Sequence, residues 1–360
     1  MEALDHKCPS CTATLPFDPT LQKWKCSYCG SEYTLEELEK YENAKNADNS
    51  EKTNPSNDVN LGEDSTIDVD VYECQSCGAK ILTDENTTAT FCVYCGNTAI
   101  IKNRLTGTLR PTKIIPFKNT KEEAIKTFVN YRKGKPFAPK DFSNKENIEK
   151  ITGVYIPFWI YDCEVAASLE AVGKNIKTWT SGDYQYTKTD TYKVLREGNM
   201  NYEKVPTDAS SKFDDDIMDS IEPFNYNDLA DFSMSYLSGF LSEKYDVEKS
   251  EAFERAKTRV VNSTNEKLKE TIIGYSTYNV VSSNMNINLK GSNYILLPVW
   301  MLNINYRGKV RKFAMNGQTG KMVGDIPIAP SKVISTSLVI FIVSFIILLI
   351  LNIILIGGIG

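Results

Sequence analysis

Cys8-Pro9-Ser10-Cys11 and Cys26-Ser27-Tyr28-Cys29 are followed further along by Cys74-Gln75-Ser76-Cys77 and Cys92-Val93-Tyr94-Cys95. In both sets, fourteen residues separate the two CxxC pairs. A CxxC turn puts its two sulfurs on one side of a tight loop, and two such knuckles joined by a hairpin converge on one tetrahedral ion. Four thiolates fill that shell, so the metal is structural rather than catalytic. Glycine follows Cys29, Cys95 and Cys77 as Gly30, Gly96 and Gly78, where it allows the left-handed turn that closes the loop. Thr12 stands at that place after Cys11. One CxxC alone would suit a redox pair, and sulfur tetrahedra also hold iron. Two quartets at one spacing favour zinc. The expectation is two rubredoxin-like zinc-ribbon β modules, residues 1–33 and 71–104. Two structural Zn2+ ions would sit on Cys8, Cys11, Cys26, Cys29 and on Cys74, Cys77, Cys92, Cys95.

Outward from the ribbons, the composition narrows the chemistry. The 360 residues carry a formal net charge of −5 and one histidine, His6. No global basic field recruits nucleic acid, and histidine-based catalysis or multi-histidine metal sites are all but excluded. The N-terminal MEALDHKCPSC has no apolar core of a signal peptide. Reduced CxxC pairs then point to the cytoplasm. The ninth cysteine, Cys163, stands alone and reads as a small buried hydrophobe.

Between the ribbons, residues 34–70 read as a flexible acidic linker. It opens with a short helix at Leu35–Tyr41 and ends with a strand-like lead-in at Ile67–Tyr72. From Glu32 to Glu73 there are thirteen Asp and Glu against three Lys, and its middle is too polar to offset ordering entropy. Residues 105–329 read as a β-rich α+β domain. Leu109–Phe117 is strand-like, and Thr120 with Glu123 forms a capping box. Strands are expected at Tyr155–Leu169, Asn175–Val194, Ile272–Leu289, Tyr294–Tyr306 and Lys309–Met315. An amphipathic helix is expected at Glu248–Glu270, with Phe253, Ala256, Val260, Thr264 and Leu268 inward. Tyr155-Ile-Pro-Phe-Trp159 resembles Leu296-Leu-Pro-Val-Trp300, with Ile114-Ile-Pro-Phe117 as a weaker third copy. The repeat implies an internal duplication. Asn316-Gly317 and Thr319-Gly320 mark a tight turn.

The C-terminal stretch is different in kind. Val333 to Gly360 contains no charged residue. Residues 333–356 are long enough, at about 1.5 Å per residue, to cross a hydrocarbon layer of about 30 Å. Arg307, Lys309, Arg311, Lys312, Lys321 and Lys332 precede this stretch and no cation follows it. The positive-inside rule then places the N-terminal bulk in the cytoplasm. The expectation is a tail-anchored, single-pass protein of the cell membrane.

No P-loop, serine elbow or dinucleotide fingerprint is present. Asp162 and Glu164 share a strand face and read as solvated residues. The chain is therefore read as a non-enzyme. Its ribbons would recruit cytoplasmic protein partners to the membrane. A rival reading is a membrane-tethered nucleic-acid binder using the first ribbon's Lys23, Trp24, Lys25 and Tyr28. The acidic linker speaks against it. A third is a cryptic enzyme with a pocket near Trp159 and Trp300.

CPSC…CSYCG, CQSCGAK…FCVYCGN, GVYIPFWIYD and LLPVWMLNINYRGKVRKFAMNGQTGKMVGDIPI before one apolar span resemble the YdjG-like family of bacterial membrane proteins. These carry an N-terminal double TFIIB-type zinc ribbon, and the likeness covers essentially the whole chain. The resemblance implies metal ligation by all eight cysteines. It further implies an adaptor role in membrane (envelope) stress, with PspA-like and SPFH-domain proteins as partners. It assigns no chemistry to the AMNGQTGKMVGD stretch.

Overall fold

The computed structural model describes residues 6–48, 66–74, 80–83, 100–139, 141–143, 148 and 150–357. Three very long antiparallel strands organise it: Thr152–Ser181, Tyr184–Asp208 and Thr277–Tyr306. The first lies in the middle and pairs with both others along most of its length. Gly182-Asp183 turns the first strand into the second, with Gly182 at φ 61. β-branched and aromatic residues fill the Tyr155–Tyr161 stretch, and there both faces are buried. Further out only one face is covered. Cys163, Val165, Ala167, Leu169 and Ala171 alternate inward. Helix Lys249–Glu270 covers them with Ala252, Ala256, Val260, Thr264 and Leu268. Phe253, expected in that stripe, is partly buried and packs on Tyr161.

The strands differ from expectation in one instructive way. The strands expected to stop at Leu169 and Leu289 run on through Gly173 and Gly291. The Tyr275 ring lies so close over Gly173 that a Cβ there would come within 2.5 Å of it. Lys290 is instead a bulge residue, since Cys163 faces Leu289 while Asp162 faces Gly291. The predicted strand pairs 155–169 with 175–194, and 272–289 with 294–306, thus become longer, differently divided elements. Leu109–Phe117 resolves into strand Ile100–Leu109 and the short strand Lys113–Ile114. The acidic stretch begins with helix Leu35–Asp48, longer than expected, and ends in strand Thr66–Cys74.

The repeat has a structural counterpart. One half runs Lys113–Ile114, helix Lys121–Lys133, then the first and second long strands. The other runs Leu241–Glu243, helix Lys249–Glu270, the third long strand and Lys309–Asn316. Each half's short strand pairs in parallel with the long strand of the other half. Tyr155 meets Ser242, and Leu296 meets Ile114. Ala209 N–H donates to Pro157 O at 2.9 Å, and Gly317 N–H to Pro298 O at 2.8 Å. Asp246 and Val247 donate to Ala209 O as Lys118 and Asn119 donate to Gly317 O. Asp208 in one half thus takes the place of Asn316 in the other.

The NGQTG turn clamps the structure around it. Asn316, fully buried, donates to Ile221 O and Pro223 O and accepts from the Gln318 and Thr319 amides. Gln318 bonds both backbone groups of Asn225. At the C-terminal end, helix Pro330–Gly357 stands away from the body. Its 23-residue stretch Pro330–Asn352 buries none of its apolar part against the body and is long and apolar enough to cross a membrane.

Candidate metal centre

The first cysteine quartet sits on two knuckles of matching geometry. Cys8 N–H donates to Ala13 O at 2.7 Å and Thr12 N–H to Cys8 O at 2.8 Å. Cys26 N–H donates to Ser31 O and Gly30 N–H to Cys26 O, both at 2.9 Å. These bonds curl each loop around its sulfurs. Closing the curl requires a left-handed residue, and Gly30 supplies it at φ 75. Thr12 adopts the same conformation at φ 61, although its β-carbon opposes it. The departure from glycine noted in the sequence therefore leaves the fold unchanged and adds strain.

The four sulfurs lie within 4.8 Å of one another. Cys8 Sγ is 3.6 Å from Cys29 Sγ, and Cys11 Sγ is 3.5 Å from Cys26 Sγ. A disulfide needs about 2.05 Å, whereas ligands at ~2.3 Å around a tetrahedral zinc stand ~3.8 Å apart. The donor set therefore fits a metal ion. Cys8 and Cys26 are buried, Cys11 is half-buried and Cys29 is exposed. The Ser31 hydroxyl and backbone amide hold the Cys29 thiol down at about 6. Two neighbours were not singled out in the sequence. They are Ser31, 3.2 Å from Cys29 Sγ, and Tyr33, whose hydroxyl is 3.8 Å from Cys8 Sγ. Their only signal is position, just past the second knuckle. In the second quartet Cys74 is described and buried. Cys77, Cys92 and Cys95 lie outside the described residues.

Of the aromatic residues expected at an exposed tip of this N-terminal segment, Tyr28 is free, at 84% exposed, and Trp24 is not. Trp24 is 1% exposed. Its indole N–H donates to Ser235 O at 2.9 Å, and it packs with Phe17 and Tyr236. Ser238 Oγ donates to Leu15 O at 2.9 Å, and Gln22 Nε2 to Phe117 O at 2.8 Å. This N-terminal segment buries its apolar face, too small to form a core alone, against residues 234–240. A cleft of about 1020 Å³ opens beside this contact, walled by Phe17 and Lys25 on one side and by Lys121, Glu122, Lys150 and Trp300 on the other.

The remaining singled-out residues all make contacts within the fold, and Trp300 also borders the cleft. Trp159 and Trp300 are buried and donate to Val247 O and Asn119 O. Asp162 accepts from the Lys204 amide at 2.8 Å beside a bulge, and Glu164 pairs with Lys290 at 2.8 Å. Cys163 is buried, and that burial raises its thiol pKa.

No family model matches the sequence, and no solved structure matches the chain. One curated protein does: the uncharacterized protein YdjG of Bacillus subtilis (strain 168) is 35% identical over 330 residues, covering 92% of each chain. The chain, with its N-terminal cysteine quartet and its apolar C-terminal helix, belongs to the YdjG family.

Proposed function

We propose that this chain is a membrane-anchored zinc-ribbon adaptor that recruits cytoplasmic protein partners, with envelope stress as its setting. One structural zinc would occupy Cys8, Cys11, Cys26 and Cys29. A second would occupy Cys74, Cys77, Cys92 and Cys95, whose spacing repeats the first. The observation that carries the reading is the joining of a closed thiolate quartet to an unburied apolar helix in one chain. Thiolates need a reducing compartment. An exposed apolar helix of this length needs lipid, so the ribbons fall on the cytoplasmic side of a cell membrane. Partners of PspA-like or SPFH-domain type fit such a platform.

Two measurements test this. Alkaline extraction of membranes leaves the protein in the pellet, and its release would remove the anchor. Crosslinking and mass spectrometry on native membranes is then compared with a Cys26→Ser chain. Partners that depend on Cys26 are expected. An unchanged partner set, or salt-sensitive enrichment of nucleic acid without protein, would overturn the adaptor reading. Metal analysis of the purified full chain should return two zinc ions per molecule.

A further inference from the structure

We infer that the body of the protein carries a second membrane-facing element, a basic collar that binds the anionic lipid headgroups around the anchor. The inference rests on the membrane reading above.

Three segments far apart in sequence meet where the apolar helix begins. The loop after helix Lys121–Lys133 holds the helix start. Ala329 N–H donates to Phe137 O at 2.8 Å, and Lys332 Nζ donates to Ala138 O at 2.6 Å. The same loop holds the hairpin between Tyr306 and Lys309. Phe142 packs on Tyr306, and the Tyr306 hydroxyl donates to Asp141 at 3.3 Å. The exposed cations Lys133, Lys135, Arg307, Lys309 and Lys312 are thereby brought beside the anchor.

These cations are left out of the salt bridges that tie their neighbours. Arg311 pairs with Asp325, and Lys321 donates to Glu222 O. Among the described residues, Lys133, Lys135, Arg307, Lys309 and Lys312 form no ion pair. Lys135 and Arg307 lie over the rings of Tyr131 and Tyr306. Between them stand exposed apolar side chains, Phe137, Val310 and Ile328. Cations interleaved with apolar side chains suit the headgroup layer, where charge meets phosphate and carbon enters the interface.

The turn itself supplies an independent observation. Arg307 and Gly308 have φ 53 and φ 77, the two-residue hairpin turn that prefers Asn-Gly. Arginine in the left-handed region is strained. Asn is the favoured residue at that place, and beyond its contact with the Tyr306 ring the exposed guanidinium is free to meet a headgroup.

The test uses the full chain in nanodiscs of phosphatidylcholine, with or without phosphatidylglycerol, read by hydrogen exchange. Amides of residues 306–312 and 133–137 should slow only in the anionic discs. The effect should be about five-fold per cation engaged, and high salt should erase it. Arg307→Asn should raise the melting temperature or leave it unchanged, and should weaken the lipid effect. Equal exchange in both discs, or an undiminished lipid effect in Arg307→Asn, would overturn the collar. Failure to enter either disc would instead overturn the anchor.

Discussion

Ile156 and Leu297 face each other across the first and third long strands, and they are also equivalents in the two sequence repeats. A pseudo-two-fold axis therefore passes through this pair. Around it the halves exchange their short strands and repeat their hydrogen bonds, down to the two tryptophans. Trp159 donates to Val247 O at 3.0 Å and Trp300 to Asn119 O at 3.2 Å, each just before a helix.

Trp159→Phe and Trp300→Phe should cost similar amounts. Each leaves a carbonyl without its donor at a site where the indole is almost fully buried, worth about 1–3 kcal/mol. Equilibrium unfolding in detergent would show it. A large loss in one variant and none in the other would mean the halves are not energetically equivalent.

The two knuckles make opposite predictions. Thr12→Gly removes left-handed strain of about 1–2 kcal/mol, and Gly30→Thr introduces it. Competition with a chromophoric chelator should find metal held more tightly in the first and more loosely in the second. The same direction of change in both would contradict the equivalence of the loops.

Gly317→Ala should destabilise strongly. A Cβ there would stand 2.6 Å from the Phe117 ring and 2.9 Å from Pro298 Cβ, an overpacking cost of about 1–3 kcal/mol or more. Gly198→Ala, in open space on the second long strand, is the control and should be near neutral.

Asp208 makes stability depend on pH. Burial outweighs the Arg255 guanidinium at 2.7 Å and lifts the carboxyl to about 6. The folded state then binds a proton that the unfolded state has already released between about pH 4 and pH 6. Asp208 therefore favours folding in acid, and this contribution is lost as pH rises through about 6. Asp208→Asn installs the residue found at the equivalent Asn316. It should flatten this window in a melting-temperature profile against pH, and an unchanged slope would assign the effect elsewhere.

Local chemistry was legible in the sequence because it depends on neighbours in the chain. The Cys8–Cys29 quartet, the Thr120–Glu123 capping box, the Lys249–Glu270 helix and the apolar run after Lys332 all follow from spacing and period alone. The paired Pro-x-Trp segments announced two related halves for the same reason. Only the tertiary structure decided what those parts do together. The strand expected to stop at Leu169 runs on through Gly173, where the Tyr275 ring packs over it. Trp24 looks like a free tip until Ser235 accepts its indole proton. The exchange of short strands joins Tyr155 to Ser242 and Ile114 to Leu296, and the start of the apolar helix is held through Lys332 and Ala138, all partners far apart in sequence. Such contacts leave no periodic trace, because their free energy comes from burying two distant surfaces at once rather than from either segment by itself.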